Sequence, residues 1–175
     1  MTGDPGQGAR PLSHVGESGE VRMVDVSDRA PTTRRATARG LVRCSPLALA
    51  AIREGTAAKG DVLLTCRLAG IQAAKRTPEL IPLCHPLAVT HVDVTAAVDE
   101  PQGVRLAATV RCQGPTGVEM EALTAVAVAA LTVIDMVKAV DPWASVAEVA
   151  LEEKSGGRSG HLRHPKAGQG SAGPG

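Results

Sequence analysis

The chain has 175 residues, 43% of them apolar, and a formal net charge of +1. That length accommodates one domain with its own core plus tails, and so even a charge balance supplies no long-range field to gather nucleic acid or anionic membrane. Trp143 is the sole aromatic, with no Phe or Tyr, so single strands find no stacking platform and the core must be built from thin aliphatic layers, which favours burying further surface in an oligomer.

Residues 1–22 are rich in Gly, Pro and Ser and read as a disordered tail. They hold no apolar segment of the secretory kind, and no run is expected to reach the length of a membrane span, which places the chain in the cytoplasm. Thr37 to Arg43 alternates as a strand does, with Arg34, Arg35 and Arg39 read as its solvated side. Ser45-Pro46 supplies an N-cap and a proline at the first helical position, and Gly55 a stop, predicting a helix over Pro46 to Glu54. A second helix is predicted from Asp61 to Arg76, with Asp61 as N-cap and Pro78 closing it. Gly70 inside it is either a weak spot or a place of close packing.

Val89 to Val98 and Val104 to Cys112 both alternate around Asp99-Glu100-Pro101-Gln102-Gly103. This predicts a hairpin in which Val92, Val94, Ala96 and Val98 are answered by Val104, Leu106, Ala108 and Val110. Glu119 to Ala139 reads as a long Ala-rich helix, Ser145 to Leu151 as a last strand and Lys154 to Gly160 as a glycine-rich exit. The domain is therefore 23–160, and 161–175 is a second tail, dominated by Gly, Ala and Pro from about Pro165. The order β-α-α-β-β-α-β, with the two short helices as one layer, is a split β-α-β pattern: α+β, a sheet with helices on one face.

On the long helix Glu121, Thr124, Thr132, Asp135 and Lys138 fall within roughly a third of the circumference, amid Ala, Val, Leu, Ile and Met. Such a stripe is ordinarily the wet side of an amphipathic helix, but this one is sparse and short, as in a seam lining a cleft or a subunit contact. Asp135 and Lys138, spaced i,i+3, can touch. As an exposed pair they contribute under about 1 kcal/mol, whereas half-buried they would tune a lysine for proton transfer. Pro82-Leu83-Cys84-His85-Pro86 is a stiff loop presenting Cys84 and His85, which is either an ordinary turn with a buried thiol or a binding loop. Gly114 to Glu121 feeds a helix N-terminus, and Glu119 and Glu121 suit N–H donors on a purine- or pterin-like ring edge, or simply the helix dipole. Lys59-Gly60-Asp61, Lys75-Arg76 and Lys154-Ser155-Gly156-Gly157-Arg158 place cations beside glycines, a usual arrangement for phosphates. The cysteines form no C-x-x-C and the histidines have no ligand spacing to Cys84 and His85, so no metal is expected.

Met23-Val24-Asp25-Val26-Ser27, Lys59-Gly60-Asp61-Val62, Ala69 to Thr77, Leu80 to Leu87, Thr116 to Thr124, Asp135 to Val140 and Lys154 to Gly160 together resemble the cyclic pyranopterin monophosphate synthases, the molybdenum cofactor biosynthesis protein C family. The resemblance spans roughly residues 22–160. It implies a ferredoxin-like fold, an antiparallel sheet with helices packed on one face, assembled as a homohexamer (a trimer of dimers) with sites between subunits. It implies a lyase without a cofactor that converts (8S)-3',8-cyclo-7,8-dihydroguanosine 5'-triphosphate to cyclic pyranopterin monophosphate and diphosphate. By position it implies Asp135, Lys138 and Lys59 as catalytic; the other subunit is the expected source of Lys59, although which subunit supplies each lysine is not fixed by the sequence. Leu83, Cys84, His85, Glu119 and Met120 would bind substrate, together with Glu121 and Lys154, while Lys75, Lys154 or Arg158 would meet the phosphates. A non-catalytic nucleotide-sensing oligomer of the same fold is the alternative, and it requires the Asp135–Lys138 pair to be merely structural.

Overall fold

The computed structural model describes residues 20–158 and 160–165. Its elements are β1 (Thr32–Arg43), α1 (Pro46–Glu54), α2 (Val62–Lys75), α3 (Thr77–Leu80), β2 (Val89–Asp99), β3 (Gly103–Gly114), α4 (Glu119–Val137), β4 (Ser145–Ser155) and β5 (His161–Arg163). The strands make one sheet in the order β2-β3-β1-β4-β5, and all of its pairings are antiparallel. β1 and β2 therefore run the same way with β3 between them, and α1 and α2 form the crossover. This is the ferredoxin-like α+β arrangement.

Local chemistry accounts for the boundaries. The Ser45 side chain accepts from Ala48 N and Gly55 adopts φ +68° after the last turn, so α1 starts and stops at the expected residues. Asp61 accepts from Leu64 N at the start of α2. Pro78 does not simply end that helix: it opens the one-turn α3, where buried Thr77 donates to the Ala73 carbonyl. The hairpin register is the anticipated one, Val92 facing Val110, Val94 facing Ala108, Ala96 facing Leu106 and Val98 facing Val104.

Ala36, Ala38 and Val42 of β1 and Val104, Leu106, Ala108 and Val110 of β3 point at the helices and are fully buried, as are Ala122, Ala125, Val126, Ala129, Ala130 and Val133 of α4. α4 is long and apolar enough, by composition, to cross a membrane, contrary to the expectation that no run would be. Its buried stripe accounts for that composition, because the helix forms the middle of this core. Gly70 is a point of close packing: a Cβ there would lie 2.9 Å from the Ala125 carbonyl oxygen.

Three boundaries move by more than two residues. β1 starts at Thr32, so Arg34 shares the parity of Ala36 and Ala38 and faces the helix side, while Arg35 and Arg39 take the open face and pair with Glu153 and Glu148. β4 continues through Ser155, which puts Lys154 on a strand. His161–Arg163, assigned to the tail by sequence, pairs with Glu153–Ser155. Of the expected tails, 1–22 and 161–175, residues 1–19 and 166–175 lie outside the described residues.

Candidate active site

The polar seam of α4 divides into two ends. At the C-terminal end Asp135 Oδ2 accepts from Lys59 Nζ at 2.6 Å and Asp135 Oδ1 meets Lys138 Nζ at 2.8 Å. Lys59 comes from the turn before α2, where Gly60 N donates to the Ala57 carbonyl. Lys59 thus reaches Asp135 of its own chain, and the three catalytic candidates form one unit rather than being divided between subunits. Their side chains are 44–59% exposed, so the half-buried, dry setting expected from the sequence is not present in the single chain. The hydrogen bonds from Lys138 and Lys59 hold the Asp135 carboxyl down to about 2.

At the N-terminal end the seam is covered. Glu121 is 3% exposed and Thr124 7%. Burial raises the Glu121 carboxyl, its own backbone N–H opposes the shift, and the negative charge of Glu119 adds to it. A cavity of about 350 Å³ lies here, and Leu83, Cys84 and His85, Glu119, Met120 and Glu121, and Val24 and Val26 are among the residues that line it. His85 Nε2 sits 2.7 Å from the Val24 carbonyl oxygen. A carbonyl only accepts, so Nε2 carries a proton there and Nδ1 is left for a ligand. The Cys84 thiol is raised, first by burial and then by Glu121, which makes it a neutral wall rather than a thiolate.

A groove of about 810 Å³ adjoins this cavity, and Arg29, Thr116, Gly117 and Glu119 line both. Arg29, Arg34, Arg35, Lys154 and Arg158 are among the residues that line it, with Asp28 and Glu119. Arg34 donates from Nε to the Gly114 carbonyl and from Nη2 to the Pro115 carbonyl. Its Nη1 lies over Gly157, at φ +69°, where any Cβ would overlap it. Lys154 Nζ meets Glu119 Oε1 at 2.6 Å.

The structure thus brings Leu83, Cys84, His85, Glu119, Met120 and Glu121 to one cavity and Lys154, from the adjoining groove, against Glu119. It sets Lys59, Asp135 and Lys138 at the other end of α4. Sixteen residues at about 1.5 Å each separate Glu119 from Asp135, or about 24 Å. Lys75 lines neither cavity. Arg29 and Arg34 escaped the sequence reading; strand parity from Thr32 would have revealed Arg34. No group of His, Cys, Asp and Glu suited to hold a metal occurs among the described residues.

Fold and site together define a ferredoxin-like protein in which a cationic groove opens into a small, acid-lined cavity. A family model described as the MoaC family matches residues 23–157. The chain is 58% identical over 159 residues to cyclic pyranopterin monophosphate synthase 3 of Mycobacterium tuberculosis, covering 89% of this chain and 88% of that protein. It is 59% identical over 150 residues to the cyclic pyranopterin monophosphate synthase of Methylobacterium nodulans, covering 85% and 94%. The chain belongs to the MoaC family.

Proposed function

We propose that the chain is a cyclic pyranopterin monophosphate synthase of molybdenum cofactor biosynthesis, a cytoplasmic lyase acting on (8S)-3',8-cyclo-7,8-dihydroguanosine 5'-triphosphate. The observation that carries this reading is the meeting of a groove lined by five cationic residues with an acid-lined cavity at Glu119. The groove takes the triphosphate. Forming a cyclic monophosphate requires a substrate oxygen to bond to the α-phosphorus while the P–O bond to diphosphate breaks. Charge builds on that leaving group, and Arg34, Lys154 and Arg158 are placed to stabilise it. The cavity takes the ring: Glu119 and Glu121 accept from its N–H groups, Leu83, Cys84 and Met120 form walls, and His85 offers Nδ1.

Ring hydrolysis also needs proton transfer. Asp135 holds Lys138 and Lys59 as a donor pair, but about 24 Å of helix separates them from the ring cavity of the same chain. They therefore act in a neighbouring copy, in a homohexamer built as a trimer of dimers, and the docked neighbour supplies the dryness the single chain lacks. Incubation with the cyclised nucleotide should release diphosphate together with the cyclic monophosphate. In single-turnover assays Lys59→Ala and Lys138→Ala should each lower the rate by about 10²–10⁴, the range for removing a positioned acid–base group. Near-normal turnover in both would overturn their roles. Binding of the nucleotide without release of diphosphate would favour the sensing module instead.

A further inference from the structure

Glu119 lines both the cavity and the groove, whereas Lys154 lines the groove alone. The two are joined by a 2.6 Å ion pair with both side chains largely buried, 25% and 31% exposed. The Glu119 carboxylate is folded back over Gly117, where an added Cβ would overlap it. In this resting arrangement Glu119 Oε1 is already engaged as an acceptor, and Lys154, one of the groove's cations, is engaged with it.

We propose that the Glu119–Lys154 ion pair couples the two halves of the site, so that it favours ligands carrying both a polyphosphate and a ring with N–H donors. A phosphate in the groove draws Lys154 away and replaces one charge-assisted hydrogen bond with another. The released carboxylate then accepts from the ring. A ring arriving alone competes with Lys154 for the Glu119 carboxylate, and to the extent that it wins it leaves Lys154 without its counter-charge in a half-buried position. The inference rests on the proposed assignment of groove and cavity, and it adds a specificity device to that assignment.

The test is a calorimetric titration of the full-length, self-assembled protein with guanosine, with and without saturating inorganic diphosphate. Diphosphate should tighten guanosine binding by at least about fivefold, the lower end of ordinary coupling between sites, and guanosine should tighten diphosphate binding by the same factor. Gly117→Ala supplies a change of opposite sign. Gly117 does not adopt a left-handed φ, and the nearest atoms to the added methyl belong to the movable end of Glu119, so the carboxylate is displaced rather than the backbone. Guanosine should then bind more tightly without diphosphate, and the gain from diphosphate should shrink toward one. Binding of both probes to the wild type with a ratio of one or less overturns the coupling and leaves the proposed function standing. Failure of both probes to bind overturns both. The wild-type ratio decides alone if the variant does not fold.

Discussion

Gly70→Ala sets two known effects against each other at one position. Within a helix, alanine is favoured over glycine by about 1 kcal/mol. Against that, the new Cβ would lie 2.9 Å from the Ala125 carbonyl oxygen and 3.3 Å from both Val94 methyls. Carbon–oxygen contacts settle at about 3.3–3.6 Å, so the approach is too close by about half an ångström. The offending atom is backbone in α4, and Val94 is 1% exposed, so neither neighbour can swing aside. Overpacking of this kind costs about 1–3 kcal/mol, which set against the propensity gain leaves a net loss of up to about 2 kcal/mol. At about 2–4 °C per kcal/mol for a chain of this size, Tm should fall by up to about 8 °C in calorimetry at fixed protein concentration. The loss should reach the chemistry, because Lys59 is carried at the start of α2 and Asp135 on α4, and their 2.6 Å contact depends on the spacing of the two helices. Turnover should drop along with Tm. A rise in Tm would refute the reasoning and make Gly70 only a weak spot in the helix.

Glu121→Gln tests the buried carboxyl. Its folded pKa is raised, so the folded state keeps the proton longer, and ionisation withdraws stability as pH climbs from the ordinary glutamate range through the higher folded value. The variant escapes that penalty, so its Tm should match the wild type at low pH and gain on it across this window; a constant difference would contradict the assignment. Arg34→Lys should raise KM for the triphosphate more than it lowers kcat, because a point charge cannot serve the Gly114 and Pro115 carbonyls together; unchanged steady-state kinetics would remove Arg34 from the site. Gly157→Ala meets both a left-handed φ and the Arg34 guanidinium, so it should damage activity in the native background and much less alongside Arg34→Ala, as a double-mutant cycle reports. The Asp135 carboxyl, held to about 2, stays ionised at any working pH, so Asp135→Asn should lower the rate without moving the acid limb of the pH–rate profile.

Most of the fold is legible in the sequence because period and punctuation agree. Ser45-Pro46, Gly55 and Asp61 bracket helices with side chains that make the expected caps, and the hairpin's alternation fixes its register. The failures have local causes. The first four residues of β1, Thr32 to Arg35, include no apolar side chain to mark a buried face, which hid both the strand's beginning and the inward parity of Arg34. β5 has no pattern of its own and forms only because Glu153–Ser155 offer it an edge. The α4 seam could be placed by angle but not by depth: a helical wheel does not register that loops cover Glu121 and leave Asp135 and Lys138 open. Cavity residues clustered in two short segments were found from the sequence, whereas Arg29 and Arg34, which meet them only through the fold, were not.

The scarcity of aromatics acquires a structural meaning from the position of α4. This helix carries ring-binding candidates at its first turn and acid–base candidates at its last, so any tilt would move both ends at once and in opposite directions. Tilt is limited by how closely the helix lies on its neighbours. Ala122, Ala125, Ala129 and Ala130 are wholly buried along it, Gly70 approaches the Ala125 carbonyl, and a Cβ at Gly40 of β1 would come within 2.5 Å of a Val126 methyl. Interiors packed to this density transmit displacement rather than absorb it, and a bulky ring at any of these contacts would hold the helix off the sheet. A core of alanine, valine and glycine is thus the condition for a rigid rod of fixed orientation. In the proposed assembly that rod presents its two ends to two different active sites, and a fixed separation of about 24 Å lets copies of one chain complete one another.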